Sequence, residues 1–383
     1  MTGPLEGVAV LDFTTSLSGP LAAGILADLG ARVIKVEHPA RPDRARFVGT
    51  RRGGISAMYQ MANRGKLSIA LDLREPDGAA TALALAREAD VVVENFRPGV
   101  TERLGIGYAR LRDLNDRLVY VSINGFGSSG PYARRPAFDS LLQAYGGLAA
   151  LQGGAGGEPG PIGHAVVDKL AGMIGAQAAL AALLARGRGA GGQHVEVSML
   201  EVAAWFVHLD AAGPSTLPDA PKDQGDDATT GQRTALRFAD GWGMVSLGHD
   251  GGLRALCEVL GVALPPELAT MAGRQARPEA FRAVLDAIRG RAAGLPRAAT
   301  GARLVAAGAL YADVLEPAEI PANEQAVARR LFVESTHPVA GRVVEPRLPA
   351  VFSATPPADP GPSPALDEHG DLIRAELEGR THA

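Results

Sequence analysis

Residues 8–37 read VAVLDFTTSLSGPLAAGILADLGARVIKVE, and this stretch decides the fold class. Residues 8–11 form a short apolar run, as in a strand covered on both faces. After the loop TTSLSGP, residues 21–29 are rich in Ala and Leu and stop at Gly30, which marks a helix end. A second apolar run at 32–36 closes on Glu37 and His38. The reading is strand, helix, strand.

The alternation continues outward. LSIALDL (67–73), ADVVVENF (89–96) and RLVYVSINGF (117–126) are strand-like, with a helical segment at 76–87, and QHVEVSML (193–200) adds another strand. Residues 139–151 and 168–186 read as helices, separated by a Gly/Pro-rich loop at 153–163. Continuous Val, Ile and Leu runs alternating with helices specify an α/β fold with a mostly parallel sheet. After Asp210, residues 211–232 are polar and rich in Pro, Gly and Asp, which marks a linker or mobile loop. A compact mixed stretch follows from 234 to about 314, with a helix at 252–260, and a Pro-rich tail runs in extended form to a short helix at 369–377.

Composition excludes several functions. The 383 residues are 46% hydrophobic, enough for a sizeable core and more than one compact unit usually holds. With 38 basic against 42 acidic residues, the chain lacks the cationic excess of a nucleic-acid partner. Its single cysteine, Cys257, rules out a disulfide framework and suits a reducing, cytoplasmic setting. The N-terminus shows no basic leader with an apolar stretch, and the most apolar later run, 170–184, is shorter than the roughly 20 residues a membrane span needs. The eight histidines are scattered, so no metal site is expected. Strand, turn, helix and an acid at Glu37 outline a dinucleotide-binding unit, but residues 14–20 hold only Gly19 where that fingerprint needs three glycines. No phosphate-binding loop with its lysine occurs either, and no tightly bound cofactor is expected.

Five segments in order carry a resemblance: 8–37, NRGKLSIALDL at 63–73, VVVENFRPGV at 91–100, VSINGFGSSGPY at 121–132 and GQHVEVSMLE at 192–201. Together they resemble the class III (CaiB/BaiF) coenzyme A transferases, a family that includes formyl-CoA transferase, carnitine CoA-transferases and 2-methylacyl-CoA racemases. The resemblance returns at 328–377. It implies a Rossmann-like large domain built from residues 1–210 and 328–383, with the linker and a smaller α+β domain at 211–327 between them. It also implies an interlocked homodimer, with coenzyme A esters and carboxylic acids as substrates.

Asp168 aligns with the nucleophilic aspartate of the transferases. On its own residues the position also suits a helix cap, since a carboxylate accepts from free first-turn amides, and a helix N-terminus favours the ionised form. The resemblance further implies that coenzyme A is held by His38, Leu71, Asp72, Leu73, Arg74, Asn95, Phe96, Arg97, Arg103, Pro136, Ala137 and Phe138. Four of these are basic side chains suited to phosphate, and most follow strand ends, where open α/β sheets bind ligands. His38 replaces an arginine found in many relatives, leaving Arg41 or Arg44 to take over that contact. Leu17 replaces a glutamine of formyl-CoA transferase, and Pro136 replaces a lysine.

The racemases pair an aspartate with a histidine at the position of Phe138, whose ring carries no proton, so transfer is favoured over epimerisation. A non-catalytic acyl-CoA-binding protein is the third reading. Leu17 and Phe138 point to a larger or more apolar acid than formate or oxalate. Gly251 and Gly252 are faint candidates for the glycine lid of the transferases.

Overall fold

The computed structural model describes residues 3–153, 157–219, 233–359 and 361–381. The chain divides into two compact units, one of residues 1–209 and 328–383, the other of residues 210–327.

The larger unit is built on six parallel strands: β1 (Ala9–Asp12), β2 (Arg32–Glu37), β3 (Leu67–Ala70), β4 (Val91–Glu94), β5 (Val119–Asn124) and β6 (Gln193–Ser198). They lie in the order β3-β2-β1-β4-β5-β6. Because every pair is parallel, all six carboxyl ends emerge along one edge. The chain runs outward from β1 in one direction and then restarts at β4 in the other. The crevice beside β1 and β4 is therefore the switch point where such sheets bind ligands.

The central strands are mostly apolar where helices cover both faces. Leu11, Ile69, Val92 and Tyr120 are almost fully buried, each contributing about 1.5–3 kcal/mol of hydrophobic stabilisation. On the other face α1 (Ser18–Asp28) packs against the long helix at Val166–Gly187, which also lies on β5. Their seam is built of small residues, Ala22 and Ala23 on one side and Ala171, Gly172, Gly175 and Ala176 on the other, so the backbones approach closely. That helix is 22 residues long, longer than its apolar sequence run, and is long and apolar enough to cross a membrane by length and composition. Here its small-residue face is occupied by packing.

Two expectations change in detail. The helix expected at 139–151 is two, Asp139–Tyr145 and Leu148–Gly153, broken where Gly147 adopts φ +87°. The strand expected to reach residue 200 stops at Ser198, whose hydroxyl caps a further helix, Met199–His208. The Met199-to-His208 segment is apolar enough to imitate a buried strand, which hid its helical period.

The C-terminal segment adds a hairpin, Phe332–His337 with Gly341–Pro346, and then borders edge strand β3. Ala70 N–H donates to Asp367 Oδ1 at 2.7 Å and His369 N–H to the Ser68 carbonyl at 3.0 Å. These contacts satisfy backbone groups that an open sheet edge would expose. A final helix, Gly370–Thr381, sends Ile373 into the core.

The smaller unit has a three-stranded antiparallel sheet, Arg233–Phe238, Gly241–Ser246 and Tyr311–Asp313, with Gly241–Ser246 in the middle. Helices Asp250–Leu260, Pro278–Ala292 and Arg297–Ala306 close a core around Phe238, Leu253, Leu256, Ile288 and Leu304. Cys257 is buried there, which pushes its thiol up to about 11, so it acts as a packing residue. Gly251 and Gly252 lie in the first turn of the helix Asp250–Leu260. Of the segment at 211–232, residues 220–232 lie outside the described residues, and Gly213–Thr216 forms a single helical turn.

Candidate active site

Several cavities open along the carboxyl edge of the large sheet, and two of them hold the expected residues. The larger, about 590 Å³, lies over β3, β2, β1 and β4. Its walls include seven of the residues expected to hold coenzyme A: His38, Leu71, Asp72, Leu73, Arg74, Phe96 and Arg103. Arg41 lines it as well, whereas Arg44 does not. His38 Nδ1 accepts from the Ala40 amide at 3.0 Å, so its proton sits on Nε2, 3.3 Å from Asp72 Oδ2. Three arginines and this histidine share the walls with Glu37, Asp43 and Asp72 and with apolar side chains such as Phe13, Leu71, Leu73 and Phe96, and the cations suit the phosphates of a ligand that also presents a flat ring.

The second cavity, about 230 Å³, lies over β1, β4, β5 and β6. Asp168 lines it, together with Thr15, Ser16, Ser18, Asn95, Phe96, Arg97, Ala137 and Phe138. Thr15 and Phe96 belong to both cavities, so the two share a wall. Of the expected contacts only Pro136 lines neither, being exposed on the preceding loop. Gly125 lets that loop close over the sheet, since a Cβ there would collide with the Ala137 methyl. Leu17, at the N-cap of α1, is also absent from the lining.

Asp168 is the third residue of the helix Val166–Gly187, and Ala165 holds the N-cap position. The capping contact comes from elsewhere: Asp168 N–H donates to Asp139 Oδ2 at 2.9 Å. Burial, then the Asp139 charge, push the Asp168 carboxyl up to about 6, against a lowering hydrogen bond from Ser18. The Asp139 charge thus opposes ionisation of Asp168. With its carboxyl at about 6, Asp168 is mostly ionised at neutral pH. His164 is exposed, contacts Lys169 Nζ at 3.3 Å and lines neither cavity.

A buried charge network fixes the shared wall. Asp12, Lys35 and Lys66 have no solvent exposure at their charged ends. Lys66 Nζ contacts Asp12 Oδ2, the Pro20 carbonyl and Asn63 Oδ1, each at 2.8 Å. Lys35 Nζ donates to the Thr14 carbonyl at 2.8 Å and pairs with Asp43 at 3.1 Å. Burial alone would raise Asp12 and lower Lys35, but their mutual attraction and further partners reverse both shifts. For Lys66 burial wins, pulling its ammonium down to about 8 despite Asp12.

The product of this network is a pinned loop. Asp12 Oδ1 receives the Thr14 amide, Asn95 exchanges two hydrogen bonds with the Thr15 backbone, and Ser16 N–H donates to Asp43 Oδ1. Ser16 is held at φ +70°, a conformation a non-glycine residue keeps only when its surroundings impose it. Sequence reading missed Asp12, Lys35 and Lys66, and placed Asp139 only within the 136–139 segment likened to a coenzyme A-contacting loop. A lysine inside an apolar strand (RVIKVE) was the one available signal, since a charge placed there must find partners.

The model of the family described as CoA-transferase family III matches residues 5–370. The chain belongs to CoA-transferase family III. This class III CoA-transferase is 35% identical over 392 residues to the acetyl-CoA:oxalate CoA-transferase of Acetobacter aceti, covering 98% of this chain and 96% of the relative. It is 36% identical over 271 residues to a probable fatty acyl-CoA transferase of Mycobacterium tuberculosis, covering 67% and 69% of the two chains. Among solved structures, a CAIB/BAIF family protein from Brucella suis superposes with a TM-score of 0.86 at 32% identity, covering 98% of this chain and all of the other. The enzyme is thus a transferase of coenzyme A, and the resemblance read from five sequence segments is confirmed at the level of the whole chain.

Proposed function

We propose that Asp168 is the nucleophile and that coenzyme A passes through a thioester on its side chain. The supporting observation is adjacency: the carboxylate raised to about 6 lines a cavity that shares Thr15 and Phe96 with the larger, arginine-rimmed one. A long ligand seated with its phosphates near Arg41, Arg74 and Arg103 would pass that wall with its sulfur end toward Asp168.

The steps balance without a cofactor. An Asp168 oxygen attacks the thioester carbonyl, the C–S bond breaks, and a mixed anhydride and a CoA thiolate form. The thiolate attacks the Asp168 carbonyl carbon and releases the donor acid. The acceptor carboxylate attacks the aspartyl thioester and expels the thiolate, which takes the acceptor acyl group from the new anhydride and frees Asp168. Phe138 beside the cavity carries no proton, and no histidine lines the cavity among the described residues. Epimerisation would lack its second base.

Relatives bear names with both oxalate and fatty acyl substrates. The acid therefore has to be read from this chain's own residues. The mechanism is tested by incubating enzyme with acyl-CoA, quenching with hydroxylamine and mapping the product by mass spectrometry. A hydroxamate on the Asp168 peptide is expected, with exchange abolished in Asp168→Ala. Exchange surviving in that variant would refute the proposal.

A further inference from the structure

A third cavity, about 90 Å³, adjoins the one around Asp168, and the proposed transfer steps make no use of it. Phe96, Arg97, Pro98 and Asn124 line both, so they form a partition with a hollow on each side. Glu94, the last residue of β4, lines the third cavity and is only 6% exposed. Its Oε2 accepts the Phe96 N–H at 2.8 Å. Asn95, between the two, exchanges hydrogen bonds with the Thr15 backbone. Phe96 and Thr15 are the residues shared by the larger cavity and the Asp168 cavity. One buried carboxylate thus anchors the wall past which the coenzyme A arm would run.

The surroundings of Glu94 are acidic. Burial pushes its carboxyl up to about 7 against hydrogen bonds from Ser122 and the Phe96 amide, and the charges of Glu102 and Glu196 push it further. No cation offsets them: Arg97 lines the cavity without forming an ion pair among the described residues. His194 stacks on Tyr108 with ring centres 5.0 Å apart and meets Ser122 Oγ at 2.9 Å. Burial lowers its imidazole despite Glu196 and Glu102, so it is uncharged at neutral pH. The remaining group, Tyr120, donates its hydroxyl to the Ile106 carbonyl and not to Glu94. A charged acceptor holds an amide about twice as strongly as a neutral one, so a proton on Glu94 weakens its grip on Phe96.

We propose that Glu94 is a positioning residue for transfer: its ionised carboxylate holds Phe96 and the 95–98 loop as the partition beside Asp168, and uptake of one proton loosens that partition and slows the reaction. This rests on the transferase reading above and gives Glu94 no contact with substrate. The carboxyl is charged above about pH 7 and protonated below it, so activity rises as pH passes through that value. The step is separate from the Asp168 limb, which lies at about 6.

The test measures kcat/KM for acyl-CoA:acid exchange from pH 5.5 to 8.5 in the wild type, Glu94→Gln, Glu102→Gln and Ser122→Ala. Glu94→Gln keeps the shape of the side chain but fixes it uncharged. It is expected to lose about tenfold at pH 8 yet match the wild type within about twofold at pH 5.5, where only about 3% of Glu94 is ionised. The Asp168 limb is common to both enzymes and cancels in the ratio. Glu102→Gln removes a repelling charge and is expected to move the step near pH 7 down, whereas Ser122→Ala removes a hydrogen bond to the carboxylate and is expected to move it up. These two variants carry the test alone if Glu94→Gln does not fold. A Glu94→Gln loss of the same factor at every pH would mark a merely structural role, and no loss at pH 8 would show that the charge does not set the partition. Either result overturns the inference, as does a step that the two neighbouring variants fail to move in opposite directions. All three leave Asp168 transfer intact so long as the wild type gives the Asp168 hydroxamate. Its absence would instead defeat the transferase mechanism and this inference with it.

Discussion

Replacing Asp139 by Asn isolates the charge-repulsion part of the rise in the Asp168 carboxyl. The side-chain amide oxygen introduced by Asp139→Asn can still accept the Asp168 backbone N–H now bound by Asp139 Oδ2 at 2.9 Å, so the helix start keeps its cap. What disappears is one negative charge beside the Asp168 carboxylate. Burial is the larger reason the Asp168 carboxyl sits at about 6, and it persists in the variant. The acidic limb of kcat/KM, which reports the free enzyme's essential base, is therefore expected to move down by about one unit rather than return to the ordinary carboxylate range. One unit corresponds to about 1.4 kcal/mol of relieved repulsion. At pH 5 the ionised fraction of Asp168 would rise about fivefold, so activity relative to each enzyme's own plateau should rise by the same factor. The assay is acyl-CoA:acid exchange from pH 4.5 to 8 at constant ionic strength. Only the limb's position is read, because the plateau also carries any direct contact of Asp139 with the substrate. A limb that stays in place or moves upward would refute the idea that the two carboxylates repel.

Three further outcomes follow from the same geometry. Asp168→Asn should stabilise the protein at pH 7.5 by up to about 3 kcal/mol and have no effect near pH 3.5. The folded carboxyl keeps its proton to about pH 6 while the unfolded chain loses it near 3.8, so stability falls as pH rises between those values. Unfolding midpoints across that window decide it, and a destabilised variant at pH 7.5 would contradict it. Lys66→Met leaves the buried Asp12 carboxylate with its Thr14 hydrogen bonds and the more distant Lys35, 3.9 Å away, and leaves Asn63 Oδ1 and the Pro20 carbonyl without the ammonium, for an expected loss of about 3–5 kcal/mol in urea denaturation. A loss under about 1 kcal/mol would show that the network does not hold the loop. His38→Arg should lower the KM for acyl-CoA about threefold at low salt, and less at 0.5 M salt, because a guanidinium grips phosphate with two parallel hydrogen bonds. An unchanged KM would place the phosphates away from the His38 side of the larger cavity.

The parallel sheet was legible because strand-length Val and Ile runs in 8–37, 91–94 and 119–124 have no other stable arrangement than burial on both faces. The family resemblance named Leu71, Asn95 and their neighbours, and the parallel sheet explains why residues after consecutive strands share one edge. The helix Met199–His208 and the hairpin at 332–346 were not legible, since short apolar runs do not separate helix from strand by periodicity. Contacts such as Asp168 with Asp139, 29 residues apart, or Lys66 with Asp12, 54 apart, depend on how helices settle on the sheet. No local pattern encodes them.

The protonation of Asp168 shows how such contacts change the chemistry. Sequence reading treats it as a cap on a helix whose dipole favours the ionised form, an effect of roughly 0.3–1 kcal/mol. In the fold it is the third helical residue, partly buried, and faces a second carboxylate. A rise from 3.8 to about 6 corresponds to about 3 kcal/mol against ionisation, so desolvation and repulsion outweigh the dipole. The balance leaves Asp168 titrating about one unit below neutrality. It is mostly charged at neutral pH, and under the proposed mechanism the strain of keeping that charge out of water would be relieved when the carboxylate forms an uncharged acyl link.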